Sequence, residues 1–326
     1  MSRRSLFVLG MLILFTAMGS AAGSDEPYPS KPIICVIPFP GGGATDITTR
    51  ALCSVISQYI GQPFIPNPKG GGGGAVGVYE MVKSKPDGYT VLCAGNSLVM
   101  PELYAHFNKA PYTYKDSTAV CQWAGFIPTI AVRKDAPWNT LKEFMEEAKN
   151  KPMKFGGPGT RTTNYILGLA LAKKYGTKMG GLPFKGDGEV VTALLGGHVD
   201  MGMLMTASVK AQFDAGTLRV LAVGYDTRLP DFPGVPTIKE QGYDVGFDAM
   251  FMGMYAPSKT PPGRIKVLAD SVKKVTEDET FLSMMNKFSM PVLYADTETY
   301  GEKLIRIQKA LTKAFMDAGL NPTPID

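Results

Sequence analysis

Ile33-Ile34-Cys35-Val36-Ile37-Pro38-Phe39-Pro40-Gly41-Gly42-Gly43-Ala44-Thr45-Asp46 is the stretch on which the fold turns. A short apolar run ends in prolines and glycines. Ile47, Ala51, Leu52, Val55, Ile56, Tyr59 and Ile60 then fall on one helical face. The spacing predicts strand, glycine turn and helix, with Thr45 or Asp46 as cap and Gly61 as stop. Two readings of the turn stand side by side. Its backbone N–H groups, unpaired at a helix start and reinforced by the helix dipole, suit a carboxylate or phosphate. Equally, it serves as a plain connection.

The same grammar continues along the chain. Strands are expected at Tyr89–Ala94, Thr129–Val132, Lys154–Gly156, Val199–Met203, Leu218–Val223 and Ala249–Tyr255. Helices are expected at Leu141–Asn150, Thr163–Tyr175, Val190–Leu195 and Arg264–Thr276. A long final helix carries Tyr300, Leu304, Ile307, Leu311 and Phe315 on one face. Alternating strands and helices imply mainly parallel sheets covered on both sides. Two sheets of about five strands fit, with crossovers near 124–130 and 245–255.

Two further turns join a strand to a helix. Phe155-Gly156-Gly157-Pro158-Gly159-Thr160-Arg161-Thr162-Thr163-Asn164-Tyr165 offers hydroxyls, an amide and one guanidinium. Arg161 can pair bidentately with a carboxylate or stand as an exposed loop arginine. In Pro183-Phe184-Lys185-Gly186-Asp187-Gly188-Glu189, Lys185 reads as a ligand cation, a surface charge or a partner of Asp187. Gly72-x-Gly74-x-x-Gly77 matches a dinucleotide fingerprint formally, but Pro66-Asn67-Pro68-Lys69 before it does not extend a central strand.

Composition narrows the classes. The chain has 326 residues, 44% hydrophobic and 19% charged, with a net charge of +5 and no basic run. That speaks against a disordered tail and against nucleic acid as partner. Ser2-Arg3-Arg4, the apolar run Leu6 to Met18 and Gly19-Ser20-Ala21-Ala22 read as a secretory signal peptide over 1–22. Cys35 and Cys93 sit in apolar runs and read as buried strand thiols; with Cys53 and Cys121 the count is even, so a disulfide stays open. Only two histidines occur, and neither a nucleophile elbow nor a metal-ligand spacing is present. No cofactor, no metal site and no catalytic set is expected. Alternating Met201, Met203 and Met205, and Met250, Met252 and Met254, suit one strand face better than copper.

A set of short pieces then gives a resemblance. The opening from Tyr28 to Asp46 is joined by Lys85-Pro86-Asp87-Gly88-Tyr89-Thr90, Gly95-Asn96-Ser97 and Pro183-Phe184-Lys185-Gly186. Leu194-Leu195-Gly196-Gly197-His198-Val199-Asp200, Ala215-Gly216-Thr217-Leu218-Arg219, Phe232-Pro233-Gly234-Val235-Pro236-Thr237 and Tyr255-Ala256-Pro257 follow in order. Together they resemble the substrate-binding proteins of tripartite tricarboxylate transporters, the Bug or TctC family. The resemblance implies an α/β, type II periplasmic-binding-protein fold: two α/β domains with a ligand cleft between them, 27–126 plus 252–326 and 127–251. It implies a periplasmic, monomeric, non-enzymatic protein. Such a protein captures a small carboxylate and delivers it to the integral membrane subunits of a transporter. A sensor feeding a two-component receptor shares the fold, and a secreted α/β hydrolase is the more distant rival.

The positions matching the family's ligand turns are Phe39, Pro40, Gly41, Gly42, Ala44, Thr45 and Asp46, then Asn96 and Ser97, then Gly159, Thr160, Arg161, Thr162 and Thr163. Lys185 joins them as a candidate cation. Three departures shape the expected ligand. Tyr165 stands where a histidine is common, Leu204-Met205 where an Asp-Asn pair is frequent, and Arg161 where the residue is often small. A cleft so altered loses a carboxylate and gains a cation and apolar surface. The expectation is an organic acid with an apolar or aromatic body and no ammonium group.

Overall fold

The computed structural model describes residues 27–104, 110–160, 162–244 and 250–317. The expected signal peptide and Arg161 lie outside the described residues. The opening stretch forms strand β1 (Ile33–Ile37) and helix α1 (Ala44–Ile60). There follow β2 (Phe64–Pro68), α2 (Ala75–Lys83), β3 (Thr90–Gly95) and β4 (Ser117–Gly125). After a two-residue link come β5 (Pro128–Arg133), α3 (Leu141–Asn150), β6 (Met153–Gly157), α4 (Thr163–Lys174) and β7 (Met179–Pro183). Then come α5 (Asp187–Leu195), β8 (Met201–Met205), α6 (Thr206–Asp214) and β9 (Leu218–Val223). The last segment holds β10 (Phe251–Pro257), α7 (Pro262–Thr276), α8 (Glu279–Lys287), β11 (Val292–Ala295) and α9 (Thr297–Asp317).

The strands build a six-stranded sheet in the order β11-β4-β10-β3-β1-β2 and a five-stranded sheet in the order β7-β6-β8-β5-β9. The expectation of mainly parallel sheets is corrected. β1 runs parallel to β2 and β3, and β6 to β7 and β8. β10 runs antiparallel to β3 and β4, β11 to β4, and β5 to β8 and β9. The cause is the chain's path. β5 and β10 are the strands that enter each sheet directly from the other, and each slots in against the direction of its neighbours. A hydrophobic pattern reports burial, not strand direction, so this was invisible in the sequence.

Helix α1 buries Ala51, Leu52, Val55, Ile56 and Ile60 on its sheet side, as the spacing required. Each such Leu, Val or Ile side chain is worth about 1.5–3 kcal/mol when fully buried. Gly61 closes the helix at φ 80°, where only glycine is unstrained. The expected cap is corrected: the helix starts at Ala44, behind Gly43, whose extended backbone supplies no capping side chain. Asp46 sits inside the first turn instead and accepts the Gly42 N–H at 3.0 Å and Arg50 Nε at 2.8 Å. At the other end of the chain, Tyr300, Ile307, Leu311 and Phe315 of α9 are buried as expected.

The four cysteines are buried and unbridged. Cys35 and Cys93 lie on neighbouring strands with their sulfurs 3.1 Å apart. Met201, Met203 and Met205 on β8, and Met252 and Met254 on β10, are buried strand residues. Among the described residues no helix is long and apolar enough to cross a membrane.

Candidate functional site

The chain passes from one sheet to the other between β4 and β5 and returns between β9 and β10, and a cavity of about 50 Å³ is lined by residues of both halves. Four α-helices start on its wall. Gly43, Ala44 and Thr45 open α1, Thr162 caps α4, Asp187 is the first residue of α5, and Met205 precedes α6. Each helix start leaves backbone N–H groups without an intrahelical acceptor and carries roughly +0.5 of a charge. Among the described residues the only ionisable side chain on the wall is Asp187. An anion here is therefore met by dipoles and neutral donors rather than by a lysine or arginine of the described wall.

The predicted residues divide cleanly. Phe39, Ala44, Thr45, Asn96, Ser97, Thr162, Thr163 and Met205 line the cavity. Asn96 is held by accepting the Phe251 N–H at 2.9 Å, which ties β3's end to β10. Thr162 accepts the Tyr165 N–H at 3.4 Å and donates to the Gly159 carbonyl at 2.9 Å, fixing the turn that leads into α4.

Pro40, Gly41, Gly42, Asp46, Gly159 and Thr160 stand behind or beside the wall rather than on it. Asp46 shapes the first turn through Gly42. Gly159, at φ 98°, presses against the second glycine cluster: a Cβ there would fall 2.6 Å from Gly73 Cα. Gly73 and Gly159 thus serve a close backbone approach between the two halves. Tyr165 is buried; its hydroxyl donates to the Gly181 carbonyl at 3.0 Å and its ring packs on Phe155. Burial pushes the Tyr165 phenol up. Lys185 points outward and faces Glu189 at 3.8 Å. Leu204 is fully buried in the core of the five-stranded sheet.

Sequence reasoning missed Phe126, Leu98, Asn164, Met250 and Asp187 on the wall. Phe126 and Met250 flank the strands that pass between the sheets, so the expected crossover positions carried a usable signal. Asp187 is the larger omission. The sequence offers it only as a partner of Lys185, yet its side chain turns inward and is 6% exposed. Oδ2 accepts the Ser208 hydroxyl at 2.8 Å and the Met205 N–H at 3.4 Å. Ser208 Oγ in turn accepts the Ala44 N–H at 2.8 Å, so one chain of bonds spans the two halves. Burial raises the Asp187 carboxyl to about 6, with the Ser208 and Met205 bonds opposing the rise. The premise that this cleft has lost its carboxylate is therefore corrected: Asp187 supplies one.

The sequence model named Tripartite tricarboxylate transporter family receptor matches residues 48–318. The chain belongs to that receptor family. A relative from Cupriavidus necator, called UPF0065 protein in gbd 5'region, is 33% identical over 307 residues, covering 90% of each chain. The solved periplasmic binding protein BugD is 29% identical and superposes with a TM-score of 0.83 over 90% of this chain and 99% of its own. An R. palustris protein solved with adipate, 22% identical, has the same fold with a TM-score of 0.83 over 90% of this chain and 99% of its own. The receptor thus has the type II periplasmic-binding-protein fold expected from its sequence, and its family is one of solute-binding receptors rather than enzymes.

Proposed function

We propose that this receptor captures a small organic carboxylate in the periplasm, as a monomer, and presents it to the integral membrane subunits of a tripartite transporter. The observation that carries this is the convergence of four helix starts on one cavity whose described wall holds no cation. A carboxylate suits such a site because N–H donors and dipoles need not be neutralised in the empty state. The adipate-bound relative supports the same ligand class. In this reading 27–126 plus 252–326 and 127–251 act as two domains, and the present arrangement is the closed one. A cavity of about 50 Å³ holds little more than a few waters, so a solute enters when the halves part and is enclosed when they meet.

Phe39, Phe126, Met205 and Met250 give the cavity an apolar side, which favours a carboxylate with a hydrocarbon or aromatic body. Three or four charge-assisted hydrogen bonds at about 1.5–3 kcal/mol each, less ordering costs, reach the −8 kcal/mol or so of micromolar binding. Calorimetric titration of ligand-stripped receptor with aliphatic and aromatic acids, guided by mass spectrometry of the solute released on denaturation, tests the reading. Binding of a carboxylate in the micromolar range, weakened by Thr162→Ala, is the expected result. Release of a neutral sugar or a metal ion, with no acid bound, refutes it.

A further inference from the structure

Two residues of the described cavity wall each carry a buried acceptor oxygen with no hydrogen-bond partner among the described residues. One oxygen is Asp187 Oδ1 and the other is Asn164 Oδ1. The residues themselves are 6% and 1% exposed. Their orientations are fixed by what their other atoms do. Asp187 Oδ2 is held by Ser208 and Met205. Asn164 Nδ2 points to the Met203 carbonyl at 3.5 Å, which leaves its oxygen as the free acceptor. An unpaired buried acceptor loses its hydration without compensation, and a carboxylate oxygen more so. Natural structures seldom leave such atoms bare away from a ligand.

A carboxylate solute alone does not answer these two atoms. It brings only acceptors and a second negative charge toward Asp187. What complements them is a cationic group with several N–H donors. We propose that Asp187 and Asn164 form an acceptor subsite that selects a zwitterionic solute, with its ammonium group on these two oxygens and its carboxylate on the helix starts of the same cavity. The inference rests on the carboxylate-receptor reading and names its solute class. It also reverses the sequence expectation of an ammonium-free ligand, because that expectation assumed a cleft without a carboxylate. Asp187 would then act as a specificity residue: the partial charges of the α1 and α4 starts take the solute's anion, and the one ionisable side chain of the described wall takes its cation.

The test uses the full secreted receptor, stripped of ligand, at pH 7.5. Two matched trios are titrated by calorimetry: succinate, malate and aspartate, and 3-phenylpropanoate, 3-phenyllactate and phenylalanine. In the trio that binds, the ammonium-bearing member is expected at least tenfold tighter than its hydroxyl and unsubstituted counterparts. Asp187→Asn, which keeps the shape and removes the charge, is expected to shrink that margin to threefold or less, and Asp187→Ser serves if the first variant folds poorly. Hydroxyl or unsubstituted acids binding as tightly as the ammonium member overturn the subsite and leave the carboxylate reading standing. A margin unchanged in both variants also overturns it. Binding of none of the six acids overturns the carboxylate reading and the subsite with it.

Discussion

Replacing Asp187 by Asn should make the empty protein more stable at neutral pH. The carboxyl rises from its usual 3.8 to about 6 in the folded chain because burial penalises its charged form. Above pH 6 the side chain is ionised in both the folded and unfolded states, and the folded state carries the penalty. Carrying the carboxyl from 3.8 to about 6, at about 1.36 kcal/mol per pH unit, costs the folded state roughly 3 kcal/mol. As pH falls through 6 toward 4 the folded carboxyl takes up its proton first, and the penalty shrinks to about 0.5 kcal/mol at pH 4. Asn retains an oxygen for the Ser208 hydroxyl and the Met205 N–H. The expected gain at pH 7.5 is therefore about 2–3 kcal/mol, or roughly 3–6 °C in Tm for a chain of this size. Paired thermal melts of both proteins at pH 7.5 and pH 4 isolate the residue, since every other titrating group is common to them. A variant less stable than the parent at pH 7.5, or a gap that persists unchanged at pH 4, refutes the reasoning. A stability penalty retained at a wall position is what a binding residue looks like energetically.

Other outcomes follow from the same geometry. Ser208→Ala cuts the chain of bonds from Ala44 to Asp187, and chemical denaturation at pH 7.5 should show a loss of about 1–3 kcal/mol. Gly159→Val places a side chain against Gly73 at a φ that favours glycine; it should hold the halves apart, weaken solute affinity at least tenfold and abolish the ligand-induced fall in radius of gyration seen by small-angle scattering. The four buried cysteines should resist a thiol reagent in the native protein and all react on denaturation, since burial keeps a thiol such as Cys121 protonated.

The elements that could be read from sequence are those whose own residues decide them. β1 and α1 announce themselves by an apolar run, a glycine turn and a 3.6-residue period, and α3 and β9 fall where their patterns put them. β2, with two prolines, and β7, with two glycines, carry no such pattern. Both are edge strands, held in register by β1 and β6 rather than by intrinsic preference. The site shows the same divide. Thr45, Asn96 and Thr163 sit at turns that sequence could mark. Tyr165 and Leu204 looked like wall residues until the packing of Phe155 and the core of the second sheet claimed them. The inward turn of Asp187 is not legible in the sequence because it depends on Ser208, on a helix that starts 19 residues later in the chain.

A crystal structure of the receptor with its solute tests the central claim most directly. The account predicts carboxylate oxygens within about 3.2 Å of backbone N–H groups or hydroxyls at residues 43–45 and 162–164, with the two halves closed over them. A solute bound elsewhere, or one seated in this cavity with no anionic group facing those helix starts, would contradict it.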